Sequence, residues 1–181
     1  MKKRKKIITV AIDSPAAAGA GTQAKLIAKH YNLYYLDTGK IYRYIGLLRL
    51  KNIKKFSHKL VKKKIRKIKI KDLKNKKLLA NGIGISASII AKNTKIKKLI
   101  HNFQIQCAYH PSKKYNGSCL DGRDITYKII PDAEFKFFIT ANVKIRAKRR
   151  YLELLKLNEV ADSNIDYSGF LIHLSFNRRL K

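Results

Sequence analysis

Residues 7–22 read IITVAIDSPAAAGAGT, an apolar run followed by a loop of small residues. The run at 7–12 is rich in β-branched side chains and shows no polar alternation, which favours a strand buried on both faces. Helical spacing follows from 22 to 31, and a second short apolar run occupies 33–36. Strand, loop, helix and strand in this order predict an α/β fold with a parallel sheet and helices on both faces.

The rest of the chain continues the alternation of strands and helices. Residues 65–70 alternate between isoleucine and basic side chains, which predicts a half-exposed antiparallel strand. Residues 161–181 contain one weak apolar patch at 170–172 and predict no closing strand. The other predicted elements are helices at 40–50, 86–92, 94–108 and 143–157, a loop at 110–116, and core strands at 118–120 and 134–140.

Length and composition restrict the class of protein. A chain of 181 residues with 45% apolar side chains can form one domain with a sizeable core, and it excludes collagen-like, disulfide-scaffold and fully disordered classes. The 42 Lys and Arg outnumber the 11 Asp and Glu, giving a net charge of +31, which suggests an anionic partner. Because the charge is spread along the whole chain, we favour compositional drift and an anionic substrate over a dedicated nucleic-acid surface.

Signals for secretion or membrane insertion are missing from the sequence. The apolar run at 7–12 is too short for a secretory signal, whose apolar region needs about 7–15 residues, and no run approaches the ~18 residues of a membrane span. Cys107 and Cys119 show neither metal-ligand spacing nor a disulfide framework, as expected for a reducing compartment. We therefore expect a cytoplasmic protein with no membrane partner.

The loop at 14–22 has the layout of a phosphate-binding loop, in which backbone N–H groups and a helix N-terminus hold phosphate oxygens. The motif for such a loop is G-x-x-x-x-G-K-[ST]. Gly19 and Thr22 match it, whereas Ser14 stands at the first glycine and Ala20 at the lysine. Taken alone, the segment is also compatible with an ordinary Ala/Gly turn between a strand and a helix. The candidate loop residues are Ser14, Pro15, Ala16, Ala17, Ala18, Gly19, Ala20, Gly21 and Thr22.

Further segments accompany this loop in the order and spacing of one known family. They are QAKLIA at 23–28, YLDTG at 35–39, IYR at 41–43, LDGRDI at 120–125, PDAE at 131–134 and RAKRRYL at 146–152. On these segments, which span most of 7–155, the chain resembles bacterial cytidylate kinases, which phosphorylate CMP and dCMP. The resemblance implies a P-loop nucleoside monophosphate kinase, with ATP as phosphoryl donor, Mg²⁺ as cofactor and a monomeric state.

The resemblance also implies roles for individual residues. The loop at 14–22 would hold the ATP phosphates, Thr22 would ligate Mg²⁺, and Asp121 would contact the metal through water. Lys97 stands where the family usually has arginine, so it keeps the charge but loses the bidentate fork. The implied CMP-binding residues are Thr38, Arg43, Ser88, Lys97, Arg123 and Asp124. The implied phosphate contacts from the lid side are Arg146, Arg149 and Arg150.

The same resemblance predicts a single kinase domain over 1–181. Its core would comprise 6–50 and 117–160, the monophosphate-binding insert about 51–116, and a shortened lid and tail about 161–181. The insert is shorter than usual around 82–85, and the chain ends near the point where the family has an R-D-x-x-D-x-x-R segment followed by a last strand and helix. The short ending predicts weaker closure over the nucleotides and lower stability.

Two alternatives to an active kinase stay open at this point. The first is a non-catalytic relative that still binds nucleotide, suggested by Ser14, Ala20 and the short C-terminus. The second is a basic RNA-binding protein on the same scaffold, in which tyrosines stack on bases. Those tyrosines are Tyr31, Tyr34, Tyr35, Tyr42 and Tyr44, and we favour a packing role for them.

Overall fold

Four parallel strands form one sheet in the computed structural model of the chain, which describes residues 7–156. The strands are β1 (Ile8–Asp13), β2 (Leu33–Asp37), β3 (Gly117–Gly122) and β4 (Phe135–Phe138). Their order across the sheet is β2-β3-β1-β4, and every pairing is parallel. The predicted α/β fold with a parallel sheet is therefore confirmed.

Helices connect the strands and cover the two faces of the sheet. The structure has α1 (Ala20–His30), α2 (Thr38–Lys51), α3 (His58–Ile65), α4 (Ile70–Leu73), α5 (Asn81–Lys92), α6 (Thr94–Tyr109) and α7 (Val143–Leu155). Short 3-10 turns occupy Ile53–Lys55 and Lys76–Leu79, and a π turn occupies Ile125–Ile129. All regular elements between α2 and β3 are thus α-helices or 3-10 turns.

The core has one cluster on each face of the sheet. Along β1, Ala11 belongs to the cluster shared with α2 and α6, whereas Val10 and Ile12 belong to the cluster against α1. Successive strand residues point to opposite faces, so both faces of β1 are covered, as its unbroken apolar run predicts. The central strands are therefore fixed, and their carboxyl ends form a rigid edge.

The antiparallel strand predicted at 65–70 is wrong. Val61 and Ile65 are buried one helical turn apart on α3, and Ile70 begins α4, where Lys69 N–H donates to Asp72 Oδ2 at 2.9 Å. The alternation of isoleucine and basic residues arose because α3 ends at Ile65 and α4 begins at Ile70, with a turn between them. The helical structure of this segment is determined by local capping and by the burial of side chains four residues apart.

Other boundaries differ in informative ways. Helix α5 begins at Asn81, five residues before its predicted start, because Gly82 and Gly84 are helical. The prediction of a core strand at 134–140 is wrong about burial: β4 covers only Phe135–Phe138, and all four of its residues are exposed. Within residues 7–156 this strand pairs with β1 alone, so its phenylalanines lack a second neighbouring strand.

Some predictions concern residues 1–6 or 157–181. These include the end of the basic helix at 157 and the apolar patch at 170–172, and they lie outside the described residues. Across residues 7–156, no helix combines the length and the apolar character needed to cross a membrane.

Candidate functional site

Three aspartates lie together at the carboxyl edge of the sheet. Asp13 ends β1, Asp37 ends β2, and Asp121 lies in β3, where it is the register partner of both Asp37 and Ile12. In open α/β sheets, ligands bind at this edge. The site is therefore built on the most firmly held part of the fold.

The loop between β1 and α1 has the geometry of an anion-binding turn. Ala17 has φ 60° and Gly19 has φ 100°, so two residues adopt left-handed backbone conformations. Gly19 is also the N-cap of α1, without a side-chain cap, and the first N–H groups of a helix have no intrahelical acceptor. Left-handed residues next to such a terminus turn successive N–H groups toward one point. These features support the predicted phosphate-binding role of the loop, which stays a prediction.

Asp13 ties this loop to the turn after β3. Its buried carboxylate accepts from Ile125 N–H at 2.7 Å, from Thr126 N–H at 3.0 Å, and from the Thr126 hydroxyl. Ser14 N–H donates to Gly122 O at 3.0 Å beside these bonds. The phosphate loop and the segment carrying Arg123 and Asp124 are thereby held in one arrangement.

Asp121 lies in a buried cluster of like charge. Burial, and then the negative charge of Asp37, raise the pKa of Asp121 to about 7, against opposing effects of Tyr35, Lys25 and Lys40. Asp121 Oδ1 and the Tyr35 hydroxyl make no hydrogen bond of good geometry within the described part of the chain. Buried polar atoms without partners are rare. The cluster is therefore suited to an additional cationic or polar ligand.

The Mg²⁺ implied by the resemblance fits this cluster. A Cβ placed on Gly21, the neighbour of Thr22, would lie 3.5 Å from Asp121 Oδ2, so the carboxylate faces the start of α1. Mg²⁺ is commonly held by one or two carboxylates together with phosphate oxygens and water. In residues 7–156 no group of three or more His, Cys, Asp or Glu side chains could hold a metal alone. Substrate phosphates and water would supply the remaining ligands.

We expect Asp121→Asn to stabilise the fold at pH 8 by on the order of 2 kcal/mol. The pKa of Asp121 is raised in the folded state, so the folded protein binds the proton more tightly than the unfolded chain. The wild-type free energy of unfolding is then highest below about pH 4 and falls as the pH rises toward about 7. Urea unfolding between pH 4 and 8 should show the advantage of the variant disappearing at acid pH.

The control for this prediction is Asp132→Asn, which changes an exposed aspartate in the loop before β4. Its stability difference from wild type should not follow the same pH course. Parallel pH profiles for the two variants would contradict a buried, charge-repelled Asp121.

Helix α7 lies against the phosphate loop. Arg146 is buried, and its Nη1 donates to Ala16 O at 3.2 Å. Arg149 Nη1 donates to Ala18 O at 3.0 Å and to Ala17 O at 3.4 Å. Two of the three arginines predicted on the lid side therefore contact the loop backbone directly.

The third arginine of this helix meets a different partner. Arg150 Nη2 donates to Leu79 O at 3.1 Å, while Arg43 Nη1 of α2 donates to Leu78 O at 2.8 Å and to Ala80 O at 3.4 Å. Burial, and then the charge of Arg150, lower the pKa of Arg43. Two guanidinium groups thus converge on 78–80, where an anion would relieve their repulsion.

Asp124 lies in a second group of predicted acceptor-site residues. Burial alone would raise its pKa, but hydrogen bonds from Tyr127 and Lys128, and the charges of Lys128 and Lys97, lower it. Lys128 Nζ lies 2.9 Å from Asp124 Oδ2. The pKa of Tyr42 is raised by burial and by the negative charge of Asp124. The positive charge of Lys97 therefore acts on Asp124, and both are predicted acceptor residues.

The remaining predicted acceptor residues, Thr38, Ser88 and Arg123, have different surroundings. Thr38 is buried, and its hydroxyl donates to Asp121 O at 2.9 Å. Ser88 is exposed and donates to Gly84 O within its own helix at 3.2 Å. Partial removal from water and the nearby charge of Arg146 lower the pKa of Arg123, although Asp124 opposes this. The charges of Arg123 and of Arg146 on α7 thus repel each other.

Several residues of this site were not found by sequence reasoning. Asp13, Asp37, Tyr35 and Tyr42 take part in its hydrogen bonds or electrostatics. For Asp13 and Asp37 a signal existed, because two predicted strands each end at an aspartate. Four of the five tyrosines considered as stacking platforms, Tyr34, Tyr35, Tyr42 and Tyr44, pack against the core clusters.

Comparison with known proteins gives consistent matches over most of the chain. The family model described as cytidylate kinase matches residues 10–166. The cytidylate kinase of Bartonella tribocorum is 42% identical over 152 residues, which are 83% of this chain and 69% of that protein. The cytidylate kinase of Bartonella quintana is 38% identical over 170 residues, with coverages of 93% and 75%. That of Rhodospirillum rubrum is 36% identical over 146 residues, with coverages of 80% and 68%.

Proposed function

The chain belongs to the cytidylate kinase family, and on that premise we propose that it transfers the γ-phosphoryl group of ATP to CMP or dCMP. The observation that carries this proposal is the position of α7. Its Arg149 contacts the phosphate loop, and its Arg150 contacts Leu79 beside Arg43. One helix thus contacts both the donor-side loop and the acceptor-side segment that Arg43 also contacts.

On the donor side, the proposal assigns the ATP phosphates to the loop at 14–22. The left-handed residues Ala17 and Gly19 and the N-terminus of α1 support this role, because they present backbone N–H groups. Thr22, with Asp121 acting through water, would hold Mg²⁺. The metal, when bound, would neutralise negative charge on the phosphates.

On the acceptor side, the proposal assigns the monophosphate to Arg43 and Arg123 and the base to Asp124, with Thr38, Ser88 and Lys97 completing the set. A guanidinium fork matches a phosphate through paired hydrogen bonds. A carboxylate can accept from the exocyclic amino group of cytosine. Asp124 is anionic for this purpose, since neighbouring donors lower its pKa.

Phosphoryl transfer needs little covalent chemistry from the protein. Catalysis rests on aligning donor and acceptor and on stabilising charge at the transferred group. In this chain the loop N–H groups and the arginines of α7 would provide that stabilisation, and α7, which contacts the loop through Arg146 and Arg149, would shield it from water. The chain does this without a lysine at position 20, where it has Ala20.

Ala20 also favours one second candidate, a relative that binds nucleotide without turning it over. A missing cation at the phosphate loop costs the transition state several kcal/mol in comparable electrostatic contacts. Ligand binding alone needs less of this stabilisation. The two candidates differ only in turnover, so one assay separates them.

The deciding experiment is a coupled assay of the 181-residue protein with ATP, Mg²⁺ and each of CMP, dCMP, UMP and AMP. We expect ADP formation with CMP and dCMP, and a loss of about 100-fold or more in Arg123→Ala. Arg66→Ala, which removes an exposed arginine from the turn after α3, should keep full activity.

If the assay shows no turnover, thermal unfolding with and without CMP separates the remaining candidates. Absence of turnover together with protection of the fold by CMP would select the nucleotide-binding candidate. Absence of both turnover and protection would contradict both candidates and direct attention to the RNA-binding alternative. The cytoplasmic location and the monomeric state stay predictions.

A further inference from the structure

Arg149 occupies the region where the phosphate loop lacks a lysine. We propose that Arg149 supplies to the donor triphosphate the positive charge that a lysine at position 20 would otherwise provide. The inference rests on the proposed function, because it concerns the donor of that reaction. It goes beyond that function by naming how this chain compensates for Ala20.

The position of Arg149 is the first argument. A Cβ built on Gly19, the residue before Ala20, would lie 3.4 Å from Arg149 Nη1. A side chain at position 20 leaves the helix toward its N-terminus, which is the direction of Gly19 and the loop. The guanidinium therefore lies close to the space that a lysine side chain would enter.

The spare hydrogen-bonding capacity of Arg149 is the second argument. Both of its bonds to the loop, to Ala18 O and Ala17 O, come from Nη1. Within residues 7–156 the Nε and Nη2 groups of Arg149 make no hydrogen bond, and because a guanidinium has five N–H donors, these groups can still meet phosphate oxygens. The residue is exposed, and a ligand can reach it without unfolding α7.

The neighbouring arginine has a different role. Arg146 is only 5% exposed, and its Nε and Nη1 donate to Ala141 O and Ala16 O at 3.2 Å each. These bonds fix α7 against the loop. Arg146 thus acts as a support, while Arg149 one turn later is the group directed to the ligand.

Lys25 is the cation of α1 nearest in sequence to Ala20, but it faces elsewhere. Its Nζ lies 5.9 Å from the centre of the Tyr35 ring, and its charge lowers the pKa of Asp121 against the larger effect of burial. Lys25 is therefore directed to the carboxylate cluster.

A double-mutant cycle between positions 20 and 149 tests the proposal. The four proteins are wild type, Arg149→Met, Ala20→Lys and the double variant. We expect Arg149→Met to lower kcat about 100-fold in the natural loop. In the Ala20→Lys background the loss should be less than about 5-fold, because the lysine at position 20 then supplies the positive charge. Binding of ATP without acceptor, measured by calorimetry, should weaken in the same pattern.

Lys148→Met is the matched control, because it removes one positive charge from the adjacent exposed position of α7. It should change neither kcat nor ATP affinity in either background. Equal losses from Arg149→Met in the natural loop and in the Ala20→Lys background, or no loss in the natural loop, would overturn the proposal.

Two further results keep the inference separate from the proposed function. If none of the proteins forms CDP, the proposed function fails, and the calorimetric cycle still decides whether Arg149 and a lysine at position 20 substitute for each other. If Arg149→Met does not fold, Arg149→Lys takes its place. That variant should lose about 10-fold in the natural loop, since it keeps the charge but not the fork, and nothing measurable in the Ala20→Lys background.

Discussion

Replacing Arg43 with methionine should lower kcat/KM for CMP by about 10³-fold, the scale observed when an arginine that stabilises a transferring phosphoryl group is lost. KM for ATP should change much less, because Arg43 lies on α2 and contacts 78–80 rather than the phosphate loop. Steady-state kinetics with each substrate varied in turn measures both effects.

The electrostatics of the site explain the size of this effect. Arg43 is partly withdrawn from water and repelled by Arg150, and both influences lower its pKa. Glu153 forms an ion pair with Arg150, so it offsets the repulsion only in part. A bound monophosphate would be attracted to both guanidinium groups at once. Loss of Arg43 removes one half of that site and leaves the acceptor phosphate misplaced for in-line transfer.

Arg49→Met is the matched control for Arg43. Arg49 lies on the same helix and donates to Ser86 Oγ at 3.4 Å, so its removal tests loss of charge and packing on α2 alone. Arg43→Lys should recover only part of the activity, since a lysine cannot form the paired contact. A similar loss in the Arg43 and Arg49 variants would mean that Arg43 acts through the stability of α2.

The sequence predicts those parts of the site that depend on local pattern. The strand at 7–12, the small-residue loop and the following helix can be predicted because burial on both faces and the turn residues act over a few positions. The segment at 65–70 could not be predicted, because two helix ends produced the periodicity of a strand. There, capping by Asp72 and the burial of Ile65 decided the structure.

Contacts between distant segments account for the rest. The sequence of the segment at 146–152 does not predict that Arg146 and Arg149 donate to the carbonyls of 16–18. Nor does it predict that Arg150 donates to the carbonyl of Leu79. These contacts depend on how α7 lies against the phosphate loop and Leu79. The compensation for Ala20 is therefore visible only in three dimensions, although the missing lysine is visible in the sequence.

Substitution of Asp13 by alanine should lower the free energy of unfolding by about 4 kcal/mol. The carboxylate accepts three hydrogen bonds, from Ile125 N–H, Thr126 N–H and the Thr126 hydroxyl. All three donors would lose their acceptor, and an unsatisfied buried donor costs about 1–3 kcal/mol. Entry of water into the vacated space reduces the sum. Urea unfolding of Asp13→Ala and wild type measures the difference.

Graded variants separate the contributions of these bonds. Thr126→Val removes only the hydroxyl donor and should lower the free energy of unfolding by about 1 kcal/mol. The loss for Asp13→Asn should lie between those for Thr126→Val and Asp13→Ala, because the amide keeps one acceptor oxygen. A cost for Asp13→Ala below that of Thr126→Val would contradict the bonding described here. Since these bonds hold the turn of Arg123 and Asp124 against the phosphate loop, the Asn variant should also raise KM for CMP while it remains folded. The buried carboxylate that stabilises the sheet edge thus also holds the turn of Arg123 and Asp124 against the loop at 14–22.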